Sequence, residues 1–312
     1  IEDLDNEVDK LQTDLHIEEI HKAAENDPDY QLIKKNLLAE DYRSEVWPPK
    51  LDQFLKKQGE LSVEDGLLVK NGEALVIPES LCSPYLDYLA MGHLSPEKSA
   101  LRARQSVWWP HIGNELFQRR RSCKTCVERS PSNPTEPLKP HEPALYPFQK
   151  VHMDMAFYGG KQWFIVIDQF SGYPLVKNMG KEALAKDVVQ KLLPTFAQYG
   201  FPEVIYSDGG PQFKSREFDD MCRANAIRHE TSSPHHHQSN GVAENAVKQM
   251  KKLIHCTFDN QRGTVDPDKW NNAILIYRNT PRRPANHSPS ILLFGRLLRD
   301  GLPALPGSYQ PQ

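Results

Sequence analysis

No stretch of the sequence approaches the roughly 18 consecutive apolar residues that a membrane helix needs, so no membrane partner is expected. Its opening residues carry none of the marks of a secretory signal. Cysteine is scarce: Cys82, Cys123, Cys126, Cys222 and Cys256 are the only five. An odd number in a chain this long does not describe a disulfide framework, and an intracellular, reducing compartment is the expectation. Internal repeats are absent too. Nor does either sign of charge dominate, with 38 Lys and Arg against 41 Asp and Glu. That balance hides an asymmetry, because residues 1–60 carry 16 acidic and 8 basic side chains and the remainder 25 and 30. A modestly basic body behind an acidic leader is compatible with nucleic acid, but charge alone decides nothing.

The 312 residues exceed what one hydrophobic core usually spans, which suggests two or three domains. The first residue is Ile1 rather than Met, which suits a piece cut from a longer precursor as well as a trimmed chain. Residues 1–60 read as an acidic leader of amphipathic helices, with Leu11, Leu15, Ile17, Ile20, Ile33, Leu37 and Leu38 among charges. Residues 61–129 open with a hairpin signal, Asn71-Gly72 between the apolar runs 67–70 and 74–77, and continue as helices from Ser83. Residues 130–148 hold six prolines and read as an extended, semi-rigid linker. From 149 to 262 strands at 151–157, 163–168 and 203–208 alternate with helices near 182–199, 215–225 and 240–257, which predicts an α/β domain. Residues 263–312 add a helix near 268–278 and then, from 296 on, a Pro- and Gly-bearing tail.

Two constellations carry chemistry. Cys123 and Cys126 form a Cys-x2-Cys pair, with His93 29 residues before it. Thiolate and imidazole donors on such spacing suit a tetrahedral structural zinc ion, although two incidental cysteines at a helix end would read the same way. The second constellation is acidic. Asp154 sits mid-strand among His152, Met153, Met155 and Phe157, a costly place for a charge without a partner or a metal. Asp208 ends an apolar strand and opens Asp208-Gly209-Gly210-Pro211-Gln212-Phe213, where α/β sheets place their sites. Glu244 lies 35 residues further on, in the first turn of a helix that Ser239 or Asn240 can cap.

Those residues, in Ser-Asp-x-Gly-Pro-Gln-Phe and Gln-Ser-Asn-Gly-x-Ala-Glu, resemble the catalytic core of retroviral and gypsy-type LTR-retrotransposon integrases. The likeness runs from about residue 60 to 305, through Ser171-Gly172-Tyr173, Tyr199-Gly200-Phe201-Pro202, Tyr277-Arg278-Asn279-Thr280-Pro281 and Ser288-Pro289-Ser290. It implies an α/β fold: an RNase H-like catalytic core with a mixed five-stranded sheet and flanking helices, preceded by a small helical His/Cys zinc-binding domain. It further implies a polynucleotidyl transferase and endonuclease that trims the 3′ ends of retroelement DNA and joins them to target DNA. Asp154, Asp208 and Glu244 would be its catalytic residues and the ligands of two Mg²⁺ (or Mn²⁺) ions, with Asp154 bridging. Asn240, Lys248 and Lys251 would contact DNA; an ordinary Glu244–Lys248 helical ion pair is the alternative for the first lysine. Double-stranded DNA, a homo-multimer and action in the nucleus complete what the resemblance implies. In the zinc-binding domain the family has a further histidine before His93, and here that position is Ala90. His93, Cys123 and Cys126 are visible as Zn²⁺ ligands; Asp87, Cys82, a water, or a partly metal-free domain are the options for the fourth.

Arg119-Arg120-Arg121 reads equally as a solvated helix face or as phosphate contacts. His235-His236-His237 reads as an active-site loop in preference to a metal cluster, and Asp168 as a structural carboxylate at a strand end. Two rival readings stand beside the enzyme: a domesticated or decayed derivative that binds DNA or chromatin without catalysis, and a related transposase or nuclease. The His-Cys element and the Gly-Pro-Gln-Phe context argue against the latter.

Overall fold

The computed structural model describes residues 15–39, 47–128, 142–231, 241–282, 286–305 and 309–311. Two units emerge from the contacts: residues 1–127 with 275–286 and 296–312, and residues 128–274 with 287–295.

In the first unit the acidic segment is built into a core. Helices α1 (Leu15–Glu25) and α2 (Pro28–Leu38) bury Ile20, Ala24, Tyr30 and Ile33. Asp27 caps α2 by accepting from the backbone N–H groups of Asp29 and Tyr30, at 3.0 Å each, which satisfies donors that a helix start leaves orphaned. Strands β1 (Leu61–Glu64), β2 (Leu67–Lys70), β3 (Ala74–Val76) and β4 (Val107–Trp108) form a sheet in that order. Asn71 and Gly72 both adopt positive φ between β2 and β3, the backbone that an Asn-Gly hairpin favours. Strand β1, inside what the sequence suggests is a leader boundary, pairs antiparallel with β2. The buried Tyr30 hydroxyl accepts from Leu68 N–H at 2.7 Å, tying α2 to β2. Helices α3 (Glu79–Ala90), α4 (Pro96–Arg104), α5 (Ile112–Ser122) and α6 (Lys124–Glu128) complete the ordered run.

Residues 296–305 differ from the expected tail. Leu302 is fully buried in the same core as Leu68, Leu75 and Leu89. Asp300 receives both bonds of a fork from Arg102, at 2.8 and 2.9 Å, and a third from Asn279 at 2.9 Å. Gly301 lies so close to Tyr88 that a Cβ there would fall 2.4 Å from its ring. Proline and glycine content suggests a tail, but the glycine answers a close approach and the charge finds its partner 198 residues away.

In the second unit five strands follow the order β7-β6-β5-β8-β9: β5 (Lys150–Tyr158), β6 (Lys161–Asp168), β7 (Pro174–Gly180), β8 (Val204–Ser207) and β9 (Arg228–Thr231). The first three form an antiparallel meander, and β8 and β9 add in parallel. Gly159 and Gly160, both at positive φ, make the two-residue turn between β5 and β6. Helices α7 (Ala185–Tyr199) and α8 (Arg216–Ala224) bury Val188, Leu192, Phe196 and Phe218 with Val151, Met153, Phe164 and Ile205 of the sheet. Helix α9 (Gly241–Thr257) lies against β5, β6 and β7, burying Ala243, Ala246, Met250, Leu253 and Ile254 at helical spacing. Helices α10 (Pro267–Asn279) and α11 (Pro289–Phe294) follow. Among the described residues no helix is long and apolar enough to cross a membrane.

The Arg102–Asp300 pair is a sharp test of the first unit. Both side chains are essentially inaccessible, at 2% and 0% exposure, so removing one charge strands the other. Asp300→Ala is expected to destabilise this unit by about 3–5 kcal/mol in urea unfolding, and an unchanged midpoint would show that the buried fork holds nothing together.

Candidate carboxylate site and His-Cys cluster

Strand pairing sets two of the acidic residues side by side. In the parallel register of β5 and β8, Met153 lies opposite Ser207, so Asp154 and Asp208 are the next residues along the two neighbouring strands. Asp154 stays within β5, opposite Ile165 of β6, with its side chain 23% exposed. Asp208 has just left β8 and is exposed. Its Oδ1 accepts from Gly210 N–H at 3.1 Å, and a Cβ on Gly210 would fall 3.0 Å from that oxygen and 2.7 Å from Gln212 Nε2. The glycine of the Ser-Asp-x-Gly run thus leaves room for the Asp208 and Gln212 side chains to close over the turn.

Burial holds the Asp154 carboxyl above the usual aspartate range, and the charge of Asp208 pushes it the same way. Lys251 opposes both, its Nζ lying 2.7 Å from Asp154 Oδ2. Lys251 comes from α9, where Glu244 lies in the first turn and Lys248 and Lys251 follow at +4 and +7 on one face. Lys248 is exposed and Glu244 is half-buried. The structure thus turns Lys251, expected on DNA, onto a carboxylate. The three carboxylates do not close on one another: among the described residues, the one set of three His, Cys, Asp or Glu ligand atoms within 4.8 Å is His93, Cys123 and Cys126. The acidic donors nonetheless suit a hard cation. They are oxygen ligands, two of them repel, and the nearest ammonium has been drawn onto the more buried one.

Sequence reasoning missed one support of this site. Ser207 Oγ donates to the Asp208 carbonyl at 2.9 Å and lies 2.8 Å from His229 Nε2 on β9, whose imidazole burial keeps below the usual histidine range. The polar, half-exposed Arg228–Thr231 gives no periodic signal of a strand that carries such a partner. Asp168, by contrast, is fully buried and accepts from the N–H groups of Phe148, Phe170 and Ser171, a structural carboxylate at the end of β6. Asn240 and the histidines 235–237 lie outside the described residues.

The second cluster is assembled from three separate elements. His93 sits after α3 with a positive φ, Cys123 follows α5, and the buried Cys126 lies in α6. His93 Nδ1 is 3.4 Å from Cys126 Sγ and 3.5 Å from Cys123 Sγ. Around a tetrahedral ion with bonds of roughly 2.0–2.1 Å to nitrogen and 2.3 Å to sulfur, the N–S edge is about 3.5 Å, so the donors fit. Of the substitutes for a fourth ligand, Asp87 is paired with Arg119. Cys82 points back to the carbonyls of Ile77 and Pro78, and burial pushes its thiol up to about 12. The arginine triplet has local duties as well: Arg120 donates to the carbonyls of His93 and Leu94, at 3.1 and 2.7 Å, and Arg121 lies over the Phe117 ring.

The family model described as integrase zinc binding domain matches residues 79–132, and that of the integrase core domain matches residues 145–237. Residues 79–132 are thus matched as an integrase zinc-binding domain, which precedes an integrase core with an RNase H-like sheet. Among curated proteins it is similar to "Uncharacterized protein K02A2.6" of Caenorhabditis elegans, 30% identical over 264 residues that cover 82% of this chain and 20% of that one. It is also similar to the Pro-Pol polyprotein of simian foamy virus type 3 (strain LK3), 26% identical over 260 residues that cover 79% and 22%. The chain therefore spans about a fifth of the length of these relatives. Among solved structures it is similar to the HTLV-2 integrase catalytic core domain in complex with magnesium, at 20% identity and a TM-score of 0.38, covering 48% of this chain and 98% of that one. A simian T-cell lymphotropic virus intasome in complex with PP2A regulatory subunit B56 gamma has 20% identity and a TM-score of 0.45, covering 70% and 77%.

The balance at Asp154 can be measured. A carboxyl whose folded pKa lies above its unfolded value stabilises the fold at low pH and loses that contribution as the pH rises through the folded value. At neutral pH without divalent metal, Asp154→Asn is therefore expected to raise the melting temperature and to flatten its dependence on pH on the alkaline side of the ordinary aspartate range. A lower melting temperature would mean that the Lys251 bond outweighs burial and repulsion.

Proposed function

We propose that this chain is the integrase of a retroelement, which trims the 3′ ends of the element's DNA and joins them to target DNA by metal-dependent phosphodiester chemistry. The observation that carries the reading is the juxtaposition of Asp154 and Asp208 just past the last registered pair of β5 and β8, with α9 delivering Lys251 to Asp154 and carrying Glu244 on the same face. The two integrase domains and the Pro-Pol relatives support it.

Asp154, Asp208 and Glu244 would hold two Mg²⁺ or Mn²⁺ ions. Bound there, such ions would supply activation of an attacking oxygen and stabilisation of the leaving one. The protein's own part is positional. The β5 ladder fixes Asp154, Gly210 N–H orients Asp208 just past β8, and Ser207 with His229 braces the turn beneath it. Lys248, which is exposed, and Lys251, which here pairs with Asp154, would contact DNA phosphates; Asn240 is assigned to DNA by its motif alone. Water attacks when an end is trimmed, and the freed 3′-hydroxyl attacks in joining. Each displaces one oxygen from one phosphodiester, so no covalent protein intermediate is needed. His93, Cys123 and Cys126 would hold structural Zn²⁺. Two DNA ends meeting one target call for a homo-multimer on double-stranded DNA, acting in the nucleus.

A second reading, a domesticated or decayed derivative that binds DNA or chromatin without catalysis, is favoured by Ala90 and by the unclosed carboxylates. Incubating the protein with an end-derived oligonucleotide, target DNA and Mg²⁺ or Mn²⁺ separates the two. Strand-transfer product is expected from the native chain and only background from Asp154→Asn; product no greater than that control would leave the non-catalytic reading standing. For DNA binding, Lys248→Ala is expected to weaken affinity for all sequences alike and to lower the salt-dependence slope by about one. An unaltered slope would remove Lys248 from the phosphate contacts.

A further inference from the structure

The His-Cys cluster has three corners of a tetrahedron and, among the described residues, no fourth His, Cys, Asp or Glu whose ligand atom joins the other three within 4.8 Å. What lies beside it is space. A cavity of about 370 Å³ is lined by His93, Cys123 and Cys126 together with Ala90, Asp87 and Met91. Ala90, three residues before His93 and joined to it by a 3.0 Å bond from His93 N–H to the Ala90 carbonyl, lines this cavity and brings no donor side chain to it. Asp87 turns aside to Arg119, and Cys82 is not part of the wall. Solvent reaches the cavity, since Met91 is 36% exposed and the Asp87 and Arg119 side chains are about half exposed. The protein donors are held without a fourth, because Arg120 fixes the His93 loop through two carbonyls.

Structural zinc sites are closed by four protein ligands, whereas sites that take an outside ligand have three and keep one position open. We infer that His93, Cys123 and Cys126 form a three-ligand zinc site whose fourth position, facing the cavity beside Ala90, takes a small monodentate donor of the imidazole or thiol class from solution. The inference rests on the reading of this cluster as a zinc site.

The test replaces zinc by Co²⁺ in the full chain and follows visible absorption while imidazole is added. One Co²⁺ with thiolate charge-transfer bands is expected, lost in Cys123→Ser and Cys126→Ser. Imidazole should shift the bands saturably in the native chain, and Ala90→His, which supplies that donor from the protein, should abolish the shift. Bands that bind Co²⁺ but ignore imidazole would overturn the open position and leave the zinc reading standing. A spectrum that reverts to aqueous Co²⁺ on adding imidazole would overturn it too. Failure of the native chain to bind Co²⁺ at all would overturn both readings together. The native titration decides even if Ala90→His does not fold.

Discussion

Two aspartates, one half-buried on β5 and one just past the end of its neighbour β8, repel each other, and the core unit is arranged around the need to balance them. The parallel pairing of β5 with β8 cannot be slipped by one residue without turning Asp154 to the opposite face of the sheet. The register that buries Val151, Met153 and Ile205 is therefore the register that brings the carboxylates together. Placing charge there costs stability, as the upward-shifted Asp154 shows, and Lys251 returns part of that cost. Such a spot accepts a divalent cation more readily than a neutral one would, because the cation relieves burial and repulsion at once.

Helix α9 follows from the same constraint. Its apolar stripe from Ala243 to Ile254 fixes its rotation against the sheet, and that rotation decides which flank faces the aspartates. Glu244, Lys248 and Lys251 sit on that flank by spacing alone. Their meaning differs along the helix: Lys251 is spent on Asp154 and Lys248 remains in solvent.

The sequence made the long periodic elements legible. The stripes of α7, α8 and α9, the apolar runs of β5, β6 and β8 and the Gly159-Gly160 turn were all readable, because each buries a continuous face. Strand β7 begins at Pro174 and β9 is Arg-His-Glu-Thr, both at sheet edges, where one side of the ladder needs no partner and polar residues are tolerated. Neither had a signal to read. Residues 296–305 were illegible for a different reason: Asp300 and Gly301 are explained only by Arg102 and Tyr88, and pairings that distant in sequence leave no local pattern.

The acidic helices α1 and α2 carry a related lesson about charge. They read as an amphipathic acidic leader, and its apolar positions Ile20 and Ile33, with Tyr30, reach the core that holds Leu68 and Leu302. A unit of this size has little apolar surface to spare, so contributions from distant stretches of chain matter more than they would in a larger core. In the same unit Arg120 holds the His93 loop by its carbonyls. Three donors on three elements would otherwise depend on a metal alone for their arrangement, and a loop tied by a guanidinium keeps its geometry with one protein ligand fewer.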